Sequence, residues 1–126
     1  MRLLYSLISL CFVSLIFFRC GNRDLDPPFA DRQTFAHALY DNDLACDSAR
    51  KMTQFLNCYE IVTFYRDGQV DILLGGGDIM YRSTYTRKKN RVTIEKAPGI
   101  TKSIIFNIVS TNELRRNDDK SAWLLM

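Results

Sequence analysis

The chain has 126 residues, 47 % hydrophobic and 25 % charged, which suits one globular domain with a modest core. Its formal charge is +3, but Arg2 and Arg19 lie in an apolar leader, so the remainder carries only +1. That balance excludes the basic footprint of a nucleic-acid-binding protein, and a single histidine, His37, with no CxxC pair leaves a zinc site short of ligands.

From Leu3 to Phe18 run sixteen residues without a charge. A membrane-spanning helix needs about 20 apolar residues; a shorter run behind Arg2 is the pattern of an export signal. The run closes on Arg19, Cys20, Gly21 and Asn22. A cysteine there resembles the end of a bacterial lipoprotein signal, of the relaxed kind found in spirochaetes and Bacteroidetes. The resemblance implies that the Cys20 thiol is lipidated and becomes the new N-terminus. The usual pattern has a small residue just before the cysteine and an aliphatic one three before it, where this chain has Arg19 and Phe17. The alternative is an uncleaved anchor with Arg19 as its flanking charge.

On this reading residues 1–20 are a lipoprotein-type signal, 21–30 a tether and 31–126 the folded domain. The tether, GNRDLDPPFA, is kept extended by Pro27 and Pro28 and reaches at most ~35 Å. Buried acyl methylenes contribute about 0.8 kcal/mol each, so a multiply acylated Cys20 would anchor the domain durably. The expected location is the bacterial cell envelope, on the outer membrane, attached through lipid on Cys20. Of the four cysteines, Cys11 leaves with the signal and Cys20 carries lipid, so Cys46 and Cys58 remain as a disulfide pair. Closing a loop of about a dozen residues is worth roughly 3 kcal/mol in the chain-entropy view.

The segment Asp31 to Asn57 is ambiguous. Phe35, Ala38 and Leu39 have helical spacing, yet QTFAHALY also reads as a first strand pairing with the last one. Ser48 to Leu56 reads as a short helix with Met52, Phe55 and Leu56 turned inward. From Tyr59 onward the pattern is β. YEIVTFYR and QVDILL flank Asp67-Gly68, a strong hairpin signal. After Gly75-Gly76-Gly77-Asp78, IMYRSTYTR places Ile79, Tyr81, Ser83 and Tyr85 on one face. KKN turns into RVTIEK, with Val92 and Ile94 inward. Ala97-Pro98-Gly99 is a loop, SIIFNIVS a strand, RRNDDK a turn and SAWLLM the last strand. The expected fold is mainly β. It is an antiparallel meander of about six strands, barrel-like or half-barrel, with the N-terminal segment as a helical cap, plug or first strand.

The stretch from Val62 to Ile94, with its closing SAWLL, resembles small bacterial lipocalin-like lipoproteins. Phe64, Asp67, Gly68, Tyr85, Val92, Ile94 and Trp123 occupy the places of that group's recurring strand and hairpin positions. The group's opening-strand tryptophan has no counterpart here. The resemblance implies a fold and no catalytic residue.

The residues themselves offer no constellation for chemistry. No GxSxG, HExxH or Walker motif is present, and the aspartates of the turns suit turn geometry. No enzyme activity, cofactor or metal is expected. Arg87, Lys88, Lys89 and Arg91 cluster at a hairpin tip, either as a solvated turn or as a contact for an anionic surface. Tyr59, Tyr65, Tyr81 and Tyr85 form a platform for a partner protein or an apolar ligand if they share an open face. Two functions follow as expectations: a non-catalytic anchored lipoprotein binding a small apolar ligand or a partner protein, or an interaction module that inhibits a cell-wall hydrolase through its GGGD loop. Nucleic acid is not an expected partner.

Overall fold

The computed structural model describes residues 26–126; the leader, with Cys11 and Cys20, lies outside the described residues. Eight antiparallel strands follow one another as β1 (Gln33–Ala38), β2 (Tyr59–Phe64), β3 (Gln69–Leu73), β4 (Met80–Lys88), β5 (Arg91–Ile94), β6 (Ile104–Ser110), β7 (Glu113–Arg116) and β8 (Ala122–Leu125). Each pairs with the next, and β1 pairs with β8, so the sheet closes into a barrel. Closure removes the free edges that an open meander would expose. One helix, α1 (Asp43–Met52), lies between β1 and β2.

The expected meander is therefore present with two further strands. Gln33–Ala38 is a strand that pairs with both the second strand and the last, rather than a helix. Glu113–Arg116 is also a strand, which takes Arg115 and Arg116 out of the expected RRNDDK turn. At the β2–β3 hairpin, Gly68 adopts φ 83°, a left-handed conformation that favours glycine, and the Asp67 carboxylate accepts from Gln69 N–H at 3.0 Å. A register shift between Ile108 and Ser110 bulges β6 and turns Val109 outward, 56 % exposed.

Eight strands enclose a lumen just wide enough for side chains to fill. Phe35, Val62, Phe64, Val70, Ile72, Val92, Ile94, Phe106, Leu114 and Trp123 fill it, and each is almost wholly buried. Burying each large side chain contributes roughly 1.5–3 kcal/mol. The two ends differ. At one lie the β2–β3, β4–β5 and β6–β7 hairpins together with the incoming N-terminal segment. At the other lie α1 and the β3–β4, β5–β6 and β7–β8 connections.

Asp26–Ala30 corrects the expected tether boundary, because this stretch packs on the barrel. Asp26 bridges Arg87, and Phe29 is buried against Phe64, ring centroids 5.0 Å apart. Helix α1 corrects a second expectation. Asn42 caps it by accepting from Ala45 N–H at 2.9 Å, and it ends at Thr53. Only Cys46 of the helix is buried, while Met52 is 90 % and Phe55 77 % exposed. Their apolar side chains point to solvent because no core element faces the helix. The Cys46–Cys58 disulfide is formed and ties α1 to the start of β2.

Candidate functional site

The middle of the lumen is filled by side chains, and a cleft of about 270 Å³ bounded by Phe29, Phe35, Arg87, Ile108 and Leu114 opens at its hairpin end. Trp123 is wholly buried in the barrel, its ring edge-on to Phe106, centroids 5.1 Å apart. Its indole N–H donates to Ser121 Oγ at 3.0 Å, and that hydroxyl donates to Asp119 at 2.7 Å. The polar handle of a buried tryptophan is thereby led out to the surface. Burial pushes the Asp119 carboxyl upward, but hydrogen bonds from the Ser121 side chain and backbone, with Arg116 and His37 nearby, hold it below its usual range. His37 stacks on Trp123, and its Nδ1 lies 2.9 Å from the Ala122 carbonyl across the β1–β8 seam. A carbonyl only accepts, so Nδ1 carries the proton.

Charged groups gather at this end. Glu60 points inward from β2, is only 7 % exposed and accepts from Gly75 N–H at 2.7 Å. Arg116, inward from β7, stands 4.0 Å from Glu60. Its Nε lies 2.8 Å from Asp118 as an ion pair without an aligned hydrogen bond. Beside them opens a cleft of about 390 Å³ bounded by Leu74, Gly99, Thr101, Lys102, Arg116 and Asp118. Gly99 at φ 86° shapes its floor: a Cβ there would lie 2.0 Å from the Tyr81 ring. Neither Glu60 nor Arg116 was among the sequence-level candidates, since charged residues in strand-like stretches read as outward.

A second surface lies outside the barrel on the seam. Ala36 and Ala38 of β1 form the floor of a groove of about 320 Å³, walled by Tyr59 and Ile61 on β2 and by Leu124 and Met126 on the other side. Strand order places β1 between those walls, so the groove is about two strand spacings, roughly 10 Å, wide. Leu124 is 57 % and Tyr59 46 % exposed. Ala38 and Tyr59 also line the crevice beneath α1, with Cys46, Cys58 and Tyr40. Asp41, Asn42 and Asp43 line the same crevice, which makes it a polar step between the seam groove and the disulfide-bonded arm, residues 40–57. There Phe55 holds a left-handed φ of 60°, rare for an aromatic residue. Arg50 donates to the Leu56 carbonyl and steadies the tip.

The four tyrosines do not share one open face. Tyr59 belongs to the outer groove, whereas Tyr81 and Tyr85 sit on inward positions of β4 and pack with the core. Tyr65 lies outside, its hydroxyl donating to Asp71 at 2.9 Å, with Arg82 stacked above its ring. That hydrogen bond, with some burial, raises the Tyr65 hydroxyl above its ordinary pKa. The Arg82 guanidinium, bonded to both Asp71 oxygens at 2.7 and 2.8 Å, holds the Asp71 carboxyl below its usual range. Tyr85 is raised chiefly by burial. Alternation cannot reveal which face of a closed sheet is inside, so the tyrosines looked equivalent.

No protein-family model, curated protein or solved structure matches this chain. Of the positions that carry the lipocalin-like resemblance, Phe64, Tyr85, Val92, Ile94 and Trp123 are buried in the barrel, and Asp67 and Gly68 form the β2–β3 turn.

The remaining sequence-level candidates fall at opposite ends. Arg87, Lys88, Lys89 and Arg91 sit at the β4–β5 hairpin, beside the incoming segment. Arg87 is partly buried, its guanidinium 5.2 Å above the Phe29 ring. The GGGD loop is at the other end and is pinned: Asn57 N–H and Nδ2 donate to the Gly76 and Gly77 carbonyls at 2.8 and 2.6 Å. Among the described residues no group of three or more His, Cys, Asp or Glu is placed to hold a metal ion, and no helix is long and apolar enough to cross a membrane.

Proposed function

We propose that this chain is a lipid-anchored, lipocalin-like lipoprotein of the bacterial envelope that binds a partner protein along the β1–β8 seam and the disulfide-bonded arm. It carries no chemistry of its own. One observation supports this above all. The middle of the barrel is packed with side chains, while Tyr59, Leu124 and Met126 along the seam groove and Met52 and Phe55 on the arm turn apolar side chains to solvent. Surfaces of that kind on a small soluble domain mark interaction sites.

A small apolar ligand suits the geometry less well. Small-molecule sites bury about 70–90 % of their ligand, and the seam groove is open along its length. A partner surface with an apolar ridge covers it fully. Arg50 and Lys51 flank Met52 at the tip of the arm, so the matching pocket for Phe55 carries an acidic rim. The inhibitor reading loses its inserting loop, because Gly75 to Gly77 is held to Glu60 and Asn57. The arm is the segment that projects.

Photocrosslinking in the native host tests the proposal, with a photoreactive residue placed at Phe55, at Leu124 or, as a control, at Lys102. The same discrete heterologous adduct from the first two positions and none from the third is expected. An adduct of doubled mass at both would assign the surface to a second copy of the chain. Absence of any specific adduct would remove the reading.

A further inference from the structure

The barrel is electrically polar along its axis, and its basic end is the one that the N-terminal segment enters. Asp26 N–H donates to the Arg87 carbonyl at 2.8 Å, and the Asp26 carboxylate accepts from Lys89 N–H. The incoming chain is thereby fastened to the β4–β5 hairpin before it reaches Phe29. Around this entry stand Arg32, Arg66, Arg87, Lys88, Lys89 and Arg91, six basic residues against the four acids Asp26, Asp31, Asp67 and Glu113. The opposite end, from the arm to the β7–β8 turn, reverses the balance with eight acidic and six basic residues. The near-neutral total hides this separation.

Reach makes the separation consequential. Five residues separate Cys20 from Asp26, a span of at most ~20 Å even when fully extended. A lipid on Cys20 therefore keeps the basic end within two or three Debye lengths, each about 8 Å, of the bilayer surface. Once that end comes within one Debye length of an anionic leaflet, each Lys or Arg contributes about 1 kcal/mol of attraction, roughly fivefold in occupancy. Lys88, Lys89, Arg91 and Arg66 are all exposed. Arg87 instead lies over the Phe29 ring and fixes the hairpin to the plug.

We propose that the β4–β5 hairpin end is a docking surface for anionic lipid headgroups, which stands the barrel upright on its own membrane and turns the arm and the Glu60–Arg116 end away from the bilayer. This rests on the lipid anchor proposed above and adds an orientation to it. The protein then presents its arm outward, across the space it faces, rather than lying free on a slack tether.

The test uses the full acylated protein reconstituted into vesicles of phosphatidylcholine alone and into vesicles containing phosphatidylglycerol. Amine acetylation read by mass spectrometry compares Lys88 and Lys89 with Lys51, Lys102 and Lys120 at the far end. On the anionic vesicles, labelling of Lys88 and Lys89 is expected to fall about fivefold while the other three are unchanged. High salt, or the pair of changes Arg66→Glu and Arg91→Glu, is expected to restore it. Equal labelling of all five lysines on both vesicle types, with the protein anchored to each, overturns the docking surface and leaves the anchor standing. Protein that associates with neither vesicle overturns the anchor, and the docking built on it falls too.

Discussion

Phe29 and Tyr85 are joined by a buried hydrogen bond, Phe29 N–H to the Tyr85 hydroxyl at 3.0 Å, and that hydroxyl in turn donates to the Tyr65 carbonyl at 2.7 Å. One phenol thus ties together the entering chain, the fourth strand and the β2–β3 hairpin. Their rings also pack, with centroids 5.8 Å apart. Tyr85→Phe keeps the ring and removes the hydroxyl, leaving the buried Phe29 N–H without its partner, while the Tyr65 carbonyl keeps the Gly68 N–H at 3.1 Å. Urea unfolding is expected to show a loss of about 1–3 kcal/mol. A neutral result would mean that the entering segment is not seated on the barrel.

Alkaline pH is expected to act on the same place. Burial, mainly, raises the Tyr85 hydroxyl above 10.0 in the folded protein, and the Asp71 hydrogen bond does the same for Tyr65. The folded state then holds more protons than the unfolded chain once pH passes the ordinary tyrosine value. Stability is therefore full below about pH 10 and declines above it, through the raised values. Thermal midpoints measured from pH 8 to 11 check this, and Tyr85→Phe is expected to flatten the decline.

At the acid end the sign reverses. Asp71, bonded to Arg82, and Asp119, bonded to Ser121, titrate below the ordinary 3.8. Their contribution is present above that value and lost as pH falls through the lowered ones. Asp71→Asn is expected to cost about 1 kcal/mol or less at neutral pH, because Arg82 is largely exposed, and to soften the acid limb. Unfolding curves at pH 7 and pH 3 measure both effects.

Removing the disulfide tests whether the arm is an appendage. In Cys46→Ala with Cys58→Ala, the barrel is expected to keep its β circular-dichroism signature, since only Cys46 of α1 is buried. Stability should fall by about 2–4 kcal/mol, and proteolysis should cut first between Tyr40 and Asn57. Collapse of the barrel spectrum would instead make the arm part of the core.

The filled lumen has its own readout in Trp123, the single tryptophan, which is 0 % exposed. Its emission is expected to be blue-shifted and resistant to acrylamide. Long-chain fatty acids should leave it unchanged, and Trp123→Ala should cost about 3–5 kcal/mol. Saturable quenching by a fatty acid would show that the barrel opens to ligands.

Much of the wall was legible in the sequence. Alternation in Gln69–Leu73 and Arg91–Ile94, with Asp67-Gly68 between two β segments, marks paired strands wherever one face is buried. The first strand was ambiguous because Phe35, Ala38 and Leu39 have helical spacing, while Phe35 and Leu39 also fall on one face of a strand. Glu113–Arg116 was hidden because Arg116 points inward yet is charged, its cost offset by Glu60 and Asp118. Met52 and Phe55 looked like core because a moment along a helix does not say whether anything faces it. Glu60 escaped notice for a related reason: its partner is an amide of the Gly75 loop, fifteen residues away.

The central claim is an anchored, disulfide-bonded barrel outside the cytoplasm, and the intact mass of the membrane-extracted protein tests it most directly. The expected species begins at Cys20, carries acyl chains on that residue and resists alkylation at Cys46 and Cys58 until reduced. A species that retains Met1, or that comes from the cytosol with both later thiols open to alkylation, would contradict the account.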